Sequence, residues 1–222
     1  TVSGPMAEGP RIQEGEGRGL AGGTSLNATL AWIAEFRQTD LGTPLIRMGY
    51  ANPLERKGYA AVAVACAEAG IDGLITVELP PEEVAVMNAE LQRHSIDNIF
   101  LISPTTTEDR IITITEQASG FIYYVALKGV TGAGHLDTEA VEAHLAIIRQ
   151  YTDLPVAVGF GIKDAQTAAR VAVCADAVVV GSALVDEIAA DFSEHQDDAR
   201  AIAIGRSLIS SIRKGVNLAT SN

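Results

Sequence analysis

Short, nearly all-apolar runs alternate along this chain with longer segments in which apolar residues recur every three or four positions. The runs fit parallel strands buried on both faces, and the longer segments fit amphipathic helices. Leu154-Pro155-Val156-Ala157-Val158-Gly159-Phe160-Gly161-Ile162 and Ala177-Val178-Val179-Val180-Gly181-Ser182 are the clearest runs, and each reaches glycine where a strand hands over to a loop. Between them, Lys163 to Cys174 is alanine-rich and helical, with Asp164 in the first turn, where the helix dipole favours an acid. This is one βαβ unit.

The same alternation runs upstream. It predicts a strand at Leu45–Tyr50, a helix from Leu54 to Ala69, a strand at Gly73–Val77, a helix from Pro81 to Arg93 and a strand at Asn98–Ile102. A helix from Thr107 to Gln117, a strand at Phe121–Val125 and a helix from Thr138 to Gln150 complete the series. Gly70, Ser95, Gly120 and Thr152-Asp153 mark helix ends, and Pro81 occupies a first helical turn. At the start, Thr1 to Pro10 is turn-rich and predicts a loop, followed by a helical pattern from Arg11 that breaks near Gly22-Gly23. Thr24 or Ser25 then caps a helix carrying Leu26, Leu30, Ile33, Ala34 and Arg37. After the last strand a short helix begins at Ser182, and a final amphipathic helix places Ala201, Ile204, Leu208, Ile209 and Ile212 on one stripe.

Strict βα alternation gives either an open doubly wound sheet or a (β/α) barrel, and glycines and polar residues at nearly every strand's carboxyl end favour the barrel. A full barrel has eight strands, and six are visible here. The expectation is an α/β single domain over residues 1–222 that lacks the first βαβ unit of its barrel. Its open edges, at Leu45–Tyr50 and Ala177–Val180, would then favour self-association.

Charge narrows the partners. A formal net charge of −12 and a pI of about 4.7 oppose binding to nucleic acid or to anionic membranes. Cys66 and Cys174 lie far apart in helical patterns and predict buried free thiols. His94, His135, His144 and His195 show no metal-binding spacing, so no metal is expected. With no apolar stretch long enough to span a bilayer and no leader pattern, a cytoplasmic protein is expected.

The glycines carry the first chemical reading. At the ends of adjacent parallel strands they let backbone N–H groups approach an anion, and Ser182 adds a hydroxyl at a helix N-terminus, a geometry suited to phosphate. The same glycines would also serve simply to relieve crowding at tight βα turns. Gly159-Phe160-Gly161 is not a dinucleotide fingerprint, because Asp164 stands where the third glycine belongs.

From its first residues to about Gly215 the chain resembles the α subunit of tryptophan synthase. The resemblance is carried by Ser3-Gly4-Pro5-Met6-Ala7-Glu8-Gly9-Pro10, Met48-Gly49-Tyr50-Ala51-Asn52-Pro53, Leu79-Pro80-Pro81-Glu82-Glu83, Pro104-Thr105-Thr106-Thr107, Phe121-Ile122-Tyr123-Tyr124, Gly129-Val130-Thr131-Gly132, Gly159-Phe160-Gly161 and Gly181-Ser182. It implies a (β/α)8 TIM barrel, of which strands 3–8 are present here, and retro-aldol cleavage of indole-3-glycerol phosphate to indole and glyceraldehyde 3-phosphate in tryptophan biosynthesis. It implies no cofactor on this chain, pyridoxal phosphate belonging to the partner β subunit. It further implies that Gly132, Gly161, Gly181 and Ser182 hold the substrate phosphate. Met48 and Phe160 would line the indole pocket, Tyr123 would face the glycerol chain, and Thr131 would belong to a closing loop. Tyr50, Asn52 and Pro53 would meet the β subunit.

Cleavage of a carbon–carbon bond to indole calls for a general acid and a general base. In the family one carboxylate lies on the second strand and the other is the aspartate of a Ser-Asp-Pro loop. Here that strand is not seen, and Gly4 stands in the aspartate's place. Glu8 and Glu78 are the remaining acids nearby, and each is equally read as a solvated or paired side chain. Loss of acid–base catalysis predicts turnover slowed by ~10²–10⁴-fold. The alternative reading is therefore a catalytically impaired barrel that keeps phosphate binding and the β-subunit docking loops. Arg47 lies where the family has an aliphatic residue, and strand alternation turns it away from Met48 and the pocket, toward the helical layer.

Overall fold

The computed structural model describes residues 10–126, 138–159 and 161–220. Its elements are α1 (Pro10–Ala21), α2 (Leu26–Arg37), β1 (Ile46–Tyr50), α3 (Ala51–Lys57), α4 (Tyr59–Ala69), β2 (Gly73–Val77), α5 (Ala85–Arg93) and β3 (Asp97–Ile102). They continue as α6 (Glu108–Gln117), β4 (Ile122–Val125), α7 (Thr138–Ile148), β5 (Val156–Gly159), α8 (Ala165–Ala172), β6 (Ala177–Val179), α9 (Ser182–His195) and α10 (Asp198–Thr220). Strand order follows the chain, β1-β2-β3-β4-β5-β6. The chain gathers into two compact units. One, here the β1 unit, comprises Leu20–Tyr123 and Tyr151–Leu154; the other, the β5 unit, comprises the described residues within Thr1–Gly19, Tyr124–Gln150 and Pro155–Asn222.

In the β1 unit, β1 pairs with β2 and β2 with β3, all parallel, with Met48 opposite Ile75 and Ile75 opposite Ile99. Residues in register share a face, so Arg47, Leu74 and Asn98 lie together on the other one. The Thr76 hydroxyl, 3.8 Å from the Met87 sulfur of α5, identifies that second face as the one covered by helices. Arg47 therefore points away from Met48, as alternation predicts, and its guanidinium lies over Gly49, where a Cβ would come within 2.9 Å of Nη1.

Two polar clusters hold this unit together. At the end of α2 the Arg37 guanidinium donates to the carbonyls of Gly70 (2.8 Å), Thr43 (2.7 Å) and Asp40 (3.2 Å) and to the Asp72 carboxylate (2.5 Å). Asp72 also accepts from the Leu45 N–H at 2.6 Å, so the α4–β2 turn, the entry to β1 and the end of α2 are joined through one ion pair. On the helix-facing side of β3, buried Asn98 donates to the Asn88 carboxamide oxygen at 2.5 Å, and Asn88 donates in turn to the Gln117 carbonyl at 3.1 Å. Asn98 also receives from its own backbone neighbourhood a fixed place: its N–H donates to the Ser119 hydroxyl at 2.9 Å. Every donor so placed avoids the penalty of a buried unmade hydrogen bond.

Several boundaries differ from the sequence expectation. The helix expected over Leu54–Ala69 is two helices, because Gly58 adopts a φ of 87° and turns the chain between α3 and α4. Helix α5 begins at Ala85 rather than Pro81, since residues 81–84 form turns closed by the Glu83 N–H on the Pro80 carbonyl. The helical pattern placed from Arg11 starts at Pro10, a residue tolerated in a first turn.

In the β5 unit, Val156, Ala157 and Val158 of β5 are buried, as are Val141, Leu145 and Ile148 of α7. Tyr124 of β4 is also buried and stacks on the His144 ring of α7 at 5.9 Å between centroids; burial pushes its phenol up to about 12. The helix expected to be short after Ser182 runs for 14 residues as α9. In α10 Ala201, Leu208 and Ile212 of the expected stripe are buried, joined by Gly205 and Gly215 in place of Ile204 and Ile209, the latter being 43% exposed. The two glycines permit backbone approach that isoleucine would block. Asp191 of α9, buried, accepts from Arg200 Nε at 2.7 Å and lies 3.2 Å from His195 Nδ1. Both cysteines are free, Cys66 buried and Cys174 half-buried.

Candidate functional site

The parallel pairing of β5 with β6 sets Ala157 against Ala177, Val158 against Val178 and Gly159 against Val179. Both chains leave the sheet in the same direction, and equal steps past the last pair reach Gly161 on one side and Gly181 on the other. Gly161 has a φ of 77°, the left-handed region, and nothing lies within 4 Å of where its Cβ would be. That conformation is natural to glycine and strained for other residues, and the open space lets a ligand approach the backbone.

Gly181 is the N-cap of α9, and its carbonyl accepts from the N–H groups of Leu184 (2.9 Å) and Val185 (3.1 Å). Ser182 is the first helical residue, no side chain caps this end, and the first turn carries no acid. Both Gly181 and Ser182 are exposed. The leading N–H groups of a helix have no acceptor within it and carry the positive end of its dipole.

The segment after Gly161 is pinned by a reciprocal cap. Asp164 accepts from the Thr167 N–H at 2.7 Å, while the Thr167 hydroxyl receives the N–H groups of Asp164 (3.2 Å) and Lys163 (3.1 Å). Asp164 is thus the N-cap of α8 and not a first-turn residue as the sequence suggested. Asp164 followed three residues later by the Thr167 hydroxyl is the sequence signal of this reciprocal cap. The Thr167 N–H, followed by its hydroxyl, holds the Asp164 carboxyl below the usual aspartate range. Because the folded pKa is depressed, this contribution is complete above the unfolded value of roughly 3.9 and disappears as pH falls through the folded one. Asp164→Ala is expected to lower stability at pH 7 by ~1 kcal/mol and to have little effect well below the folded pKa; urea midpoints across the acid range check both.

In the β1 unit, Met48 is 38% exposed and shares its face with Ile46 and Ile75. Tyr50 ends β1 as the N-cap of α3, with Asn52 and Pro53 exposed in the first turn of that helix. Tyr123 is half-buried in β4, and burial raises its phenol above the ordinary tyrosine value. Glu78 is exposed just past β2 with a φ of 65°, an uncommon conformation for a residue other than glycine. Gly4, Glu8, Thr131, Gly132 and Phe160 lie outside the described residues. Among the described residues no three His, Cys, Asp or Glu side chains gather as a metal site, and no helix is long and apolar enough to cross a membrane.

The sequence profile of the tryptophan synthase alpha chain matches residues 1–212. This chain belongs to the tryptophan synthase alpha chain family. It is 52% identical over 210 residues to the tryptophan synthase alpha chain of Thioalkalivibrio sulfidiphilus, covering 95% of this chain and 76% of that one. The alpha chain of Dechloromonas aromatica is 49% identical over 215 residues, covering 97% and 78%. Among solved structures, tryptophan synthase subunit alpha from Legionella pneumophila superposes with a TM-score of 0.86 at 40% identity, over 97% of this chain and 79% of that one. A chain of the aminoacrylate- and BRD0059-bound tryptophan synthase from M. tuberculosis gives a TM-score of 0.82 at 31% identity, over 97% and 77%. The fold is accordingly α/β with six parallel strands of the (β/α)8 barrel type. As a tryptophan synthase alpha chain it is a lyase of tryptophan biosynthesis.

Proposed function

We propose that the turns after β5 and β6 hold the phosphate of indole-3-glycerol phosphate, which the family cleaves by retro-aldol reaction to indole and glyceraldehyde 3-phosphate. The supporting observation is the pair of glycine turns at matched positions on adjacent parallel strands, Gly161 in the left-handed region and Gly181 capping α9 ahead of Ser182. Backbone N–H donors suit a dianion on a chain of net charge −12, since they supply positive potential locally. The family resemblance adds Gly132 to this cradle and assigns Phe160 to the indole pocket and Thr131 to a covering loop.

Met48 supplies an apolar, polarizable contact for indole. Tyr123, a protonated phenol at neutral pH, donates to a glycerol hydroxyl. Tyr123→Phe is expected to lower kcat/KM about tenfold, the value of one hydrogen bond of ~1.4 kcal/mol. Cleavage needs no cofactor on this chain. Tyr50, Asn52 and Pro53, at the β1–α3 junction, form the surface offered to the pyridoxal-phosphate β subunit.

Incubation with indole-3-glycerol phosphate tests the reading. Saturable binding of the substrate is expected, with any turnover giving indole and glyceraldehyde 3-phosphate in equal amounts and slowed by ~10²–10⁴-fold for want of the two family carboxylates; no binding, or indole without the triose phosphate, would refute it.

A further inference from the structure

We infer that α10 spaces the two phosphate-binding turns, with Gly215 and Gly205 as its positioning residues; the inference rests on the phosphate assignment above. Helix α10 packs along both α8 and α9. At Gly215 a Cβ would lie 2.2 Å from the Ala165 carbonyl oxygen, 2.8 Å from its carbon and 2.9 Å from its Cα. Those atoms are backbone and cannot swing aside. Ala165 opens α8 directly after the Asp164 cap, in the turn that follows Gly161.

At Gly205 a Cβ would meet Ile188 Cδ1 at 3.0 Å and Leu184 Cδ1 at 3.3 Å, both on α9. Leu184 is the residue whose N–H bonds the Gly181 carbonyl at 2.9 Å. One helix therefore meets the backbone that follows the Gly161 turn and the side chains of the first two turns of α9, at points where it presents no side chain. Glycine in a helix interior is disfavoured by about 1 kcal/mol relative to alanine, so two of them on the buried stripe of α10 are accounted for by close approach, not by propensity. Donors from both turns must lie within hydrogen-bond range of the same phosphate, and a methyl group against the fixed Ala165 backbone, or a branched side chain against Ile188 and Leu184, moves them out of that range.

The test compares the unaltered chain with Gly215→Ala, Gly205→Val and Gly205→Val combined with Ile188→Ala, using glycerol 3-phosphate and indole as separate probes in calorimetric titrations. Gly215→Ala is expected to weaken glycerol 3-phosphate about tenfold, the loss of roughly one charge-assisted hydrogen bond, with indole affinity unchanged. Gly205→Val should weaken the phosphate probe in the same selective way, and Ile188→Ala, which empties the space the new side chain needs, should restore it. This second pair decides the matter if Gly215→Ala does not fold. Equal weakening of both probes, unchanged phosphate affinity, or failure of the rescue would overturn the inference. If the unaltered chain binds no glycerol 3-phosphate, the phosphate assignment falls and the inference with it; binding that survives every substitution overturns the inference alone.

Discussion

Gly161→Val is expected to raise the KM for indole-3-glycerol phosphate by about 10²-fold, the equivalent of ~2.7 kcal/mol. Two effects combine. The φ of 77° at Gly161 is strained for a β-branched residue, at roughly 1–3 kcal/mol. The new side chain also fills the open space beside the backbone through which the anion reaches the N–H groups. Valine in the strained turn would relax it toward negative φ, turning those donors away. Glu78→Gln is the control. It removes a charge in the other unit and leaves both phosphate turns intact, so the KM should stay near that of the unaltered chain. Steady-state kinetics on the two variants separate a phosphate-site effect from a general electrostatic one.

Arg37→Ala is expected to lower stability by ~3 kcal/mol, because it removes four donors together and leaves the carbonyls of Gly70, Thr43 and Asp40 without the partner they fold around. The Arg37 side chain is only 12% exposed, so water does not readily replace it, although Asp72 at 51% remains solvated. Arg37→Lys should recover little, since an ammonium cannot reach carbonyls and carboxylate from one planar fork. A loss of this size corresponds to a fall in melting temperature of roughly 6–12 °C for a chain of this length. Urea unfolding of the three proteins would show it, and equal midpoints for arginine and lysine would mean that charge alone matters at this corner.

Much of this architecture was legible in the sequence because its strands are buried on both faces. Val156-Ala157-Val158 and Gly73-Leu74-Ile75 can hardly be anything other than parallel strands between helical segments. Gly161 and Gly181 could be located for a related reason, since glycine directly after such a run marks a turn that needs backbone room. What escaped was set by contacts distant in sequence. Gly205 and Gly215 read as helix-weakening residues until the Ala165 carbonyl and the Ile188 side chain are seen against them. Gly58 lies in an alanine-rich segment whose periodicity passes smoothly across it, and only its φ of 87° reveals the break between α3 and α4. Asp191 sits among Ala189, Ala190 and Phe192 with no sign that Arg200, beyond the helix end, folds back onto it.

The most direct test of the central assignment is a titration of the unaltered chain with glycerol 3-phosphate, followed by phosphorus NMR, beside the same titration with glycerol. The account predicts saturable binding of the phosphate ester, none of glycerol, and loss of that binding in Gly161→Val. Absence of binding by the unaltered chain, or equal binding by Gly161→Val, would contradict it.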